Sequence, residues 1–353
     1  MPERVLLVFS GGNALGAYQA GAYAALHEHG VIPERVAGVS VGAVNAALVA
    51  ATPPERRVEA LRAFWEEAGR AMPDWLVPPH GPARRLHNRL SALQNRLFGN
   101  AAVFLPRLPA LVGWEPSFYD LAPLRARIER FIDFDRLNAS PVGLLIGATD
   151  VVSGDEVRFD TRTTRIGAEH LLASCGFLPD FPPVEVDGRL LCDGGMSANL
   201  PLSAVLEEPL ADDRLCIAVD LYSRRAEPPR TVGEAMERQL DLMLANQTRS
   251  TVAALKTAYD LRAQLHAARG ESAEGAVTLL ALSYRSGPHD EPMKSFDYSR
   301  ATLLDRMEAG RRDMETALAR LATQRRHGFS VLDVTGTAHP DIGTPETPRA
   351  AAS

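Results

Sequence analysis

The chain has 353 residues, of which 46% are hydrophobic and 23% charged, and its formal net charge is −6. These values are typical of a soluble globular protein with one large or two modest domains, and the negative charge disfavours a nucleic-acid partner. The three cysteines have no CxxC spacing, which disfavours both a zinc site and a disulfide framework.

The first predicted strand, Val5 to Phe9, leads into a glycine-rich loop and then a helix. The loop, residues 10–16, reads SGGNALG. A strand, a glycine-rich loop and a helix in this order bind anions through backbone N–H groups. The loop lacks the GxGxxG spacing, and no acidic residue ends the next strand to bind a ribose, so a nucleotide site is disfavoured. We expect instead an oxyanion hole, with N–H donors from Gly11, Gly12 and Asn13.

The second predicted strand ends in Gly38-Val39-Ser40-Val41-Gly42, which matches the G-x-S-x-G pattern of a nucleophile elbow. A helix of small residues, Ala43 to Thr52, follows and directs its free N–H groups and positive dipole end at the serine oxygen. Gly38 and Gly42 are expected where a Cβ would collide with the neighbouring strand and helix. Ser40 is therefore the predicted nucleophile.

Residues 75–114 contain no acidic residue and five arginines, in an otherwise acidic chain. Leucines recur there at helical spacing, at Leu86, Leu90, Leu93 and Leu97. Two interpretations are open. The segment is an interfacial helix or lid that touches a membrane surface, or its leucines face the core while its arginines face water.

Two hairpins are predicted in the middle of the chain. Val142 to Thr149 is a continuous apolar run typical of a buried strand, with Glu156 to Asp160 as its returning partner. Val184 to Leu191 turns at Asp187-Gly188 and leads into Asp193-Gly194-Gly195. Because Gly194 and Gly195 let the backbone approach a neighbour closely, Asp193 is a candidate functional carboxylate.

The helix predicted between residues 121 and 134 is expected to expose Arg125, Arg127 and Arg130.

The glycine-rich loop, the elbow and the Asp-Gly-Gly segment, with Asn199-Leu200-Pro201-Leu202 after it, resemble the patatin-like phospholipase family over about residues 4–222. The family's first motif usually reads G-G-G-x-[RK]-G and aligns with residues 11–16, so Gly16 is its last glycine. Asn13 and Leu15 depart from this pattern. The leucine is similar to the residue at this motif position in a bacterial subgroup that has a C-terminal extension. The resemblance implies a three-layer α/β/α fold with a mostly parallel central sheet. It also implies Ser40 as nucleophile and Asp193 as its base, without a metal or cofactor.

The resemblance divides the chain into a patatin-like catalytic domain at residues 1–225 and a mainly helical C-terminal extension at residues 226–332. Within the extension, Phe296 to Arg300 is the most recognisable piece, but it indicates no chemistry. Residues 333–353 are rich in proline, threonine and alanine and are predicted to be disordered. No signal peptide and no stretch of about 20 apolar residues is recognisable. We therefore expect a cytoplasmic protein that reaches lipid from the membrane surface.

The expected activity is that of a serine lipid acyl hydrolase, of phospholipase A or esterase type, acting on lipids or other acyl esters. One alternative is an α/β-hydrolase with a Ser-His-Asp triad. Its histidine would follow Asp193, and the candidates are His266, His289, His327 and His339. A further candidate imidazole is that of His170, in a helical stretch before Asp193. Only one strand precedes that of Ser40, which disfavours this layout. A catalytically idle scaffold that binds lipid or a nucleotide is a second alternative, disfavoured because both Ser40 and Asp193 are present.

Overall fold

The computed structural model describes residues 4–69, 77–107, 113, 115–287, 289–323 and 327–334. Its strands are β1 (Arg4–Phe9), β2 (Pro33–Val39), β3 (Leu105–Pro106), β4 (Tyr119–Asp120), β5 (Gly143–Asp150), β6 (Glu156–Asp160), β7 (Val184–Val186), β8 (Arg189–Asp193), β9 (Arg214–Asp220), β10 (Val277–Ser283) and β11 (Phe329–Asp333). Its helices are α1 (Ala17–Glu28), α2 (Val41–Ala51), α3 (Arg57–Ala68), α4 (Gly81–Phe98), α5 (Ala122–Phe131), α6 (Phe134–Asn138), α7 (Ala168–Ser174), α8 (Gly195–Ala198), α9 (Ser203–Leu206), α10 (Val232–Arg269) and α11 (Arg300–Leu321). A short 3₁₀ helix, Asn13–Gly16, joins β1 to α1.

The central sheet has the strand order β11-β10-β9-β1-β2-β5-β8-β7, and β6 pairs with β5. Strands β1, β2, β5, β9, β10 and β11 run parallel, whereas β6 and β8 pair antiparallel with β5. Both predicted hairpins form, as β5–β6 and β7–β8. Asp187 and Gly188 at the second turn both have positive φ, 51° and 75°, as a two-residue hairpin turn requires.

Side chains that alternate along β1 build the two halves of the core. Leu7 and Phe9 join a cluster with residues of α1, α2, α3 and α11, while Leu6 and Val8 join a second cluster with residues of α9 and α10. Because successive side chains of a strand point to opposite faces, the sheet is covered by helices on both sides. The predicted three-layer α/β/α fold with a mostly parallel sheet and a helical C-terminal region is confirmed.

The C-terminal residues continue the same sheet and the same helical layer. Strand β10 pairs with β9 along its length, and β11 pairs with β10. Helix α11 crosses α1 closely: a Cβ on Gly21 would lie 1.8 Å from the Met307 carbonyl oxygen, and one on Gly310 would lie 2.0 Å from that of Tyr18. Gly21 is thus required for the packing of these two helices. From residue 335 on, the predicted disordered tail lies outside the described residues.

Helix α4 turns its leucines outward. Leu86, Leu90, Leu93 and Leu97 are between 41% and 58% exposed. Its buried face is polar, and each side chain there has a partner: Arg84 contacts Asp305 at 3.1 Å, and the amides of Asn88 and Asn95 donate to backbone carbonyls at 2.8 Å. The interpretation that these leucines face the core is therefore wrong. Residues 75, 76, 108–112 and 114 of the basic segment lie outside the described residues.

Arg127 on α5 is buried, contrary to the expectation that it is exposed. Its guanidinium donates to the carbonyl oxygens of Ala102 at 2.9 Å and Phe64 at 2.7 Å, and it stacks 3.8 Å from the centre of the Phe64 ring. Two carbonyls and an aromatic face stabilise the charge of this buried side chain. Among the described residues, no helix combines the length and apolarity needed to cross a bilayer.

Candidate active site

Strand β5 lies between the strands that carry Ser40 and Asp193. Val39 of β2 is in register with Gly147 of β5, and Asp193 of β8 is in register with Ala148, one residue further on. Neighbouring strands are about 4.8 Å apart, so the two backbones lie about 10 Å apart across one strand. Side chains that project from the same edge can meet over this distance.

Ser40 sits at a sharp strand-to-helix turn with φ 56° and ψ −131°. A side chain at positive φ is strained, as expected of a nucleophile elbow. The turn is compact, because a Cβ on Gly38 would lie 2.4 Å from the backbone of Gly42, and one on Gly42 would lie 2.5 Å from the carbonyl of Phe9. Both glycines are therefore sterically required where the sequence placed them.

A second serine, which the sequence analysis missed, supports the elbow. The Ser40 N–H donates to the Ser174 hydroxyl at 2.8 Å, and that hydroxyl donates to the Gly147 carbonyl at 2.6 Å. Ser174 is fully buried at the end of α7. It thereby links the strained turn to β5.

Asp193 is a buried carboxyl group directed at Ser40. It is 2% exposed, and its Oδ1 accepts the Gly195 N–H at 2.7 Å. Burial raises the pKa of Asp193 to about 7, opposed by the neighbouring Ser40 hydroxyl and by the hydrogen bond from the Gly195 N–H. A Cβ on Gly194 would lie 2.6 Å from the Gly147 carbonyl, so this glycine permits the close approach to β5. A carboxyl group with a pKa near 7 is suited to accept a proton at neutral pH.

Gly11, Gly12 and Asn13 line the same cavity as Ser40 and Asp193. The Gly11 N–H, however, donates to the Asn199 carbonyl at 3.2 Å. Its predicted role as an oxyanion donor therefore needs correction: Gly11 brings the loop close to the serine, since a Cβ there would lie 3.0 Å from the Ser40 Cβ. The N–H groups of Gly12 and Asn13 are the remaining candidate donors.

Buried polar side chains from three helices fix the glycine-rich loop. The Gln19 amide donates to the Ser10 carbonyl at 2.8 Å, and the Asn45 amide donates to the Gly16 carbonyl at 3.0 Å and to Gln19 at 2.9 Å. The Trp65 indole donates to Asn45 at 3.0 Å. The sequence analysis missed this network, although lone Gln and Asn residues in otherwise apolar helices were a signal. Gly16 packs against Trp65, where a Cβ would lie 2.7 Å from the ring.

The cavity is mostly apolar beyond the catalytic end. The loop between α7 and β7 contributes the aromatic side chains of Phe177 and Phe181. The apolar and aromatic lining residues include Val44, Phe64, Trp65, Val103, Leu121, Leu124, Phe177, Phe181, Leu240, Leu244, Phe296 and Tyr298. Such a lining suits a hydrocarbon chain.

Among the described residues, no histidine lines this cavity. The His170 Nδ1 instead accepts the Gly167 N–H at 3.0 Å at the start of α7, and its ring packs on Phe159. His266 pairs with Glu271 on the surface, and His339 lies outside the described residues. No group of three or more His, Cys, Asp or Glu side chains in the described ranges could hold a metal ion.

Two family models match the sequence of the chain. A family model described as patatin-like phospholipase matches residues 7–206, and a second, described as patatin phospholipase, matches residues 230–328. No curated protein matches the chain in sequence.

Several solved structures share a remote likeness. VipD from Legionella pneumophila is 12% identical, with 91% of this chain and 67% of that chain covered and a TM-score of 0.38. The type III effector ExoU of Pseudomonas aeruginosa is 15% identical, with 94% and 56% covered and a TM-score of 0.36. Human GIVD cytosolic phospholipase A2 is 13% identical, with 61% and 43% covered and a TM-score of 0.30. The chain spans about half the length of the last two structures.

Proposed function

The chain belongs to the patatin-like phospholipase family, a family of lipid-hydrolysing enzymes, and we propose that it is a serine lipid acyl hydrolase with a Ser40–Asp193 dyad. One observation carries the proposal. Ser40 stands at a positive-φ elbow beside a buried carboxyl group, and both line an apolar cavity together with the glycine-rich loop. A triad is less well supported, because among the described residues no histidine lines that cavity.

In the proposed acylation step, ionised Asp193 takes the proton of the Ser40 hydroxyl as its oxygen attacks the ester carbonyl. The N–H groups of Gly12 and Asn13 stabilise the oxyanion, by about 2.7–4 kcal/mol for each donor. The intermediate then expels the alcohol, which leaves with the proton held by Asp193. The acyl group remains on Ser40, and its hydrocarbon chain lies in the apolar part of the cavity.

Deacylation repeats these roles with water as the nucleophile. Asp193 accepts a proton from the water, which attacks the acyl-serine carbonyl, and the same loop stabilises the second oxyanion. The Ser40 oxygen leaves with the proton from Asp193. The products are a free fatty acid and the regenerated enzyme.

The test combines active-site labelling with ester hydrolysis. A fluorophosphonate probe should label Ser40 in the wild type, and Ser40→Ala should be unlabelled. The variant should also hydrolyse a soluble p-nitrophenyl ester at least about 1,000-fold more slowly, with an unchanged circular dichroism spectrum. Activity of Ser40→Ala within a few fold of wild type would remove Ser40 from the mechanism. A lipid panel assayed with both proteins then identifies the preferred acyl ester.

We propose further that the exposed side of α4 brings the cavity to a lipid surface. We call Leu86, Leu90, Leu93, Leu97 and Phe98 the α4 apolar face; Phe98 is 68% exposed. Arg85 and Arg89 are exposed beside this face, Arg85 pairs with Glu291 at 3.8 Å, and α4 itself has no acidic residue. A groove beside it shares Leu240 and Phe296 with the catalytic cavity, and its charged lining residues are Arg89, Arg96, Asp180, Glu234, Glu237 and Glu291. Exposed apolar and basic residues at a lipid-binding cavity favour contact with an anionic membrane.

Vesicle co-sedimentation of Ser40→Ala, which should leave the lipid intact, tests this contact. Binding to vesicles of phosphatidylcholine with phosphatidylglycerol should fall at least about 10-fold when Leu90 and Leu93 become Ser, by loss of buried apolar area. Leu261→Ser with Leu265→Ser, on exposed residues of α10, is the matched control. Arg85→Gln with Arg89→Gln should remove mainly the salt-sensitive part of the binding. Equal binding of all variants, or a change only in self-association, would count against a membrane contact.

A further inference from the structure

The glycine-rich loop is bound from the C-terminal side of the chain by two side chains. The Tyr298 hydroxyl donates a hydrogen bond to the Asn13 Oδ1. The Arg306 guanidinium donates to the Ala14 carbonyl at 3.2 Å. Residues 13 and 14 of the loop are therefore both anchored by residues about 285 to 292 positions later in the sequence.

Tyr298 lies just before α11, in a segment fixed by hydrogen bonds. The carboxylate of its neighbour Asp297 accepts the Ser299 N–H at 2.9 Å and the Thr302 hydroxyl at 2.8 Å. Arg306 donates to the Asp297 carbonyl at 3.1 Å and pairs with Asp290 at 3.0 Å. Arg306 and Tyr298 are 1% and 2% exposed, so neither side chain can exchange these partners freely with water.

Asn13 has φ 53°, a left-handed conformation that asparagine tolerates but does not prefer. The orientation of its peptide decides where the N–H groups at Gly12 and Asn13 point. A side chain anchored at its amide oxygen restricts the rotation of that residue, because both ends of the side chain are then fixed. A donor that moves by about 1 Å loses much of its effect on an oxyanion.

We propose that Tyr298 is a positioning residue that fixes the oxyanion loop through the Asn13 side chain. The proposal rests on the hydrolase function proposed above and assigns a role to the Phe296–Arg300 segment. In this segment Phe296 lines the wall of the cavity, and Tyr298 lines it beside the loop. The residues that follow the motif-bearing half of the chain therefore complete its active site.

Tyr298→Phe tests the proposal because it removes only the hydroxyl and keeps the ring. We expect kcat on a soluble ester to fall about 10-fold, while KM and the melting temperature change little, since a donor is misplaced rather than lost. The matched control is Tyr259→Phe, which loses a hydroxyl bond to the Gly275 carbonyl at 3.3 Å on the other face of the sheet. Its kcat should equal that of the wild type.

A double variant separates positioning from a purely structural role. Asn13→Gly keeps a residue that adopts φ 53° easily but has no side chain for Tyr298 to hold. In the Asn13→Gly protein, Tyr298→Phe should change kcat by less than about 2-fold, whereas in the protein that retains Asn13 it should lower kcat about 10-fold. An equal loss in both backgrounds, or no loss in either, overturns the proposal. If Ser40→Ala is inactive at the same time, the hydrolase function still stands; if Ser40→Ala is active, the function itself fails.

Discussion

Helices α2 and α4 bury opposite kinds of side chain, and only α2 contributes lining residues to the catalytic cavity. From Gly42 to Ala51 every residue of α2 is buried, and nearly all are small and apolar. Helix α4 buries Arg84, Asn88 and Asn95 and exposes its leucines. Because Arg84, Asn88 and Asn95 each bond to a residue between 289 and 305, α4 can be attached through its polar side while its apolar side stays free. The helix that supports the nucleophile is thus packed through apolar contacts, whereas the helix proposed to contact lipid is attached through polar ones.

The largest expected effect is on the rate of hydrolysis at the active site, where α2 supports the nucleophile. Asp193→Asn removes the proposed base, so the rate of hydrolysis of a soluble p-nitrophenyl ester should fall about 100- to 10,000-fold. Leu90→Ser on α4 should retain wild-type activity on the same soluble substrate, because it touches no reacting group. A Leu90→Ser enzyme as slow as Asp193→Asn would place α4 in the catalytic machinery and end the distinction.

The next largest difference is expected in the free energy of unfolding when one leucine of each helix is shortened to alanine. Leu48 of α2 is fully buried, so Leu48→Ala should lower the free energy of unfolding by about 2–5 kcal/mol. Leu90 is 55% exposed, and Leu90→Ala should change it by less than about 0.5 kcal/mol. Urea denaturation of both variants measures the contrast. Similar losses would show that the α4 apolar face packs against something in solution.

The buried Asp193 predicts opposite pH trends for activity and stability. Activity should rise as the pH increases through about 7, because the base is ionised only above its raised pKa. In the unfolded chain this carboxyl group loses its proton near its ordinary pKa of 3.8, so between about pH 4 and 7 the folded state binds more protons and stability falls with rising pH. At pH 8, Asp193→Asn should therefore be more stable than wild type, by up to about 4 kcal/mol. Equal thermal stability of the two proteins at both pH 8 and pH 4 would contradict this.

Within α4, replacing a buried polar side chain should lower the free energy of unfolding more than replacing an exposed leucine. Asn95→Ala leaves the buried Phe296 carbonyl without its 2.8 Å donor, at a cost of about 1–3 kcal/mol in unfolding free energy. The adjacent, exposed Gln94 provides the control, and Gln94→Ala should have little effect. If Asn95→Ala were the milder of the two, the polar side of α4 would not be its anchor.

The smallest effect is expected at His170, which tests the triad. His170→Gln should keep activity within about 3-fold of wild type, since its Nδ1 accepts the Gly167 N–H and the ring does not line the cavity. Parallel assays with Ser40→Ala set the scale of complete loss. A His170→Gln enzyme as inactive as the serine variant would revive the triad.

The parts of the molecule that local rules govern were predictable from sequence. The elbow at Ser40, the Asp187-Gly188 turn and the position of Asp193 at a strand end depend on backbone sterics within a few residues. The outward leucines of α4 were not, because periodicity identifies a helix and its two sides but not which side meets the protein. The buried Arg127 and the commitment of the Gly11 N–H to Asn199 depend on distant partners, which no local pattern records.

The pairing of β9 with both β1 and β10 limits where the chain can be truncated. A chain that ended at residue 225 would keep every catalytic motif but leave β9 as a bare sheet edge. It would also uncover the side of α1 on which Gly21 meets α11. Unpaired edges and exposed apolar surface promote aggregation. The smallest transferable unit of this hydrolase therefore includes β10 and α11, and transplanting the motif-bearing half alone should give an insoluble product.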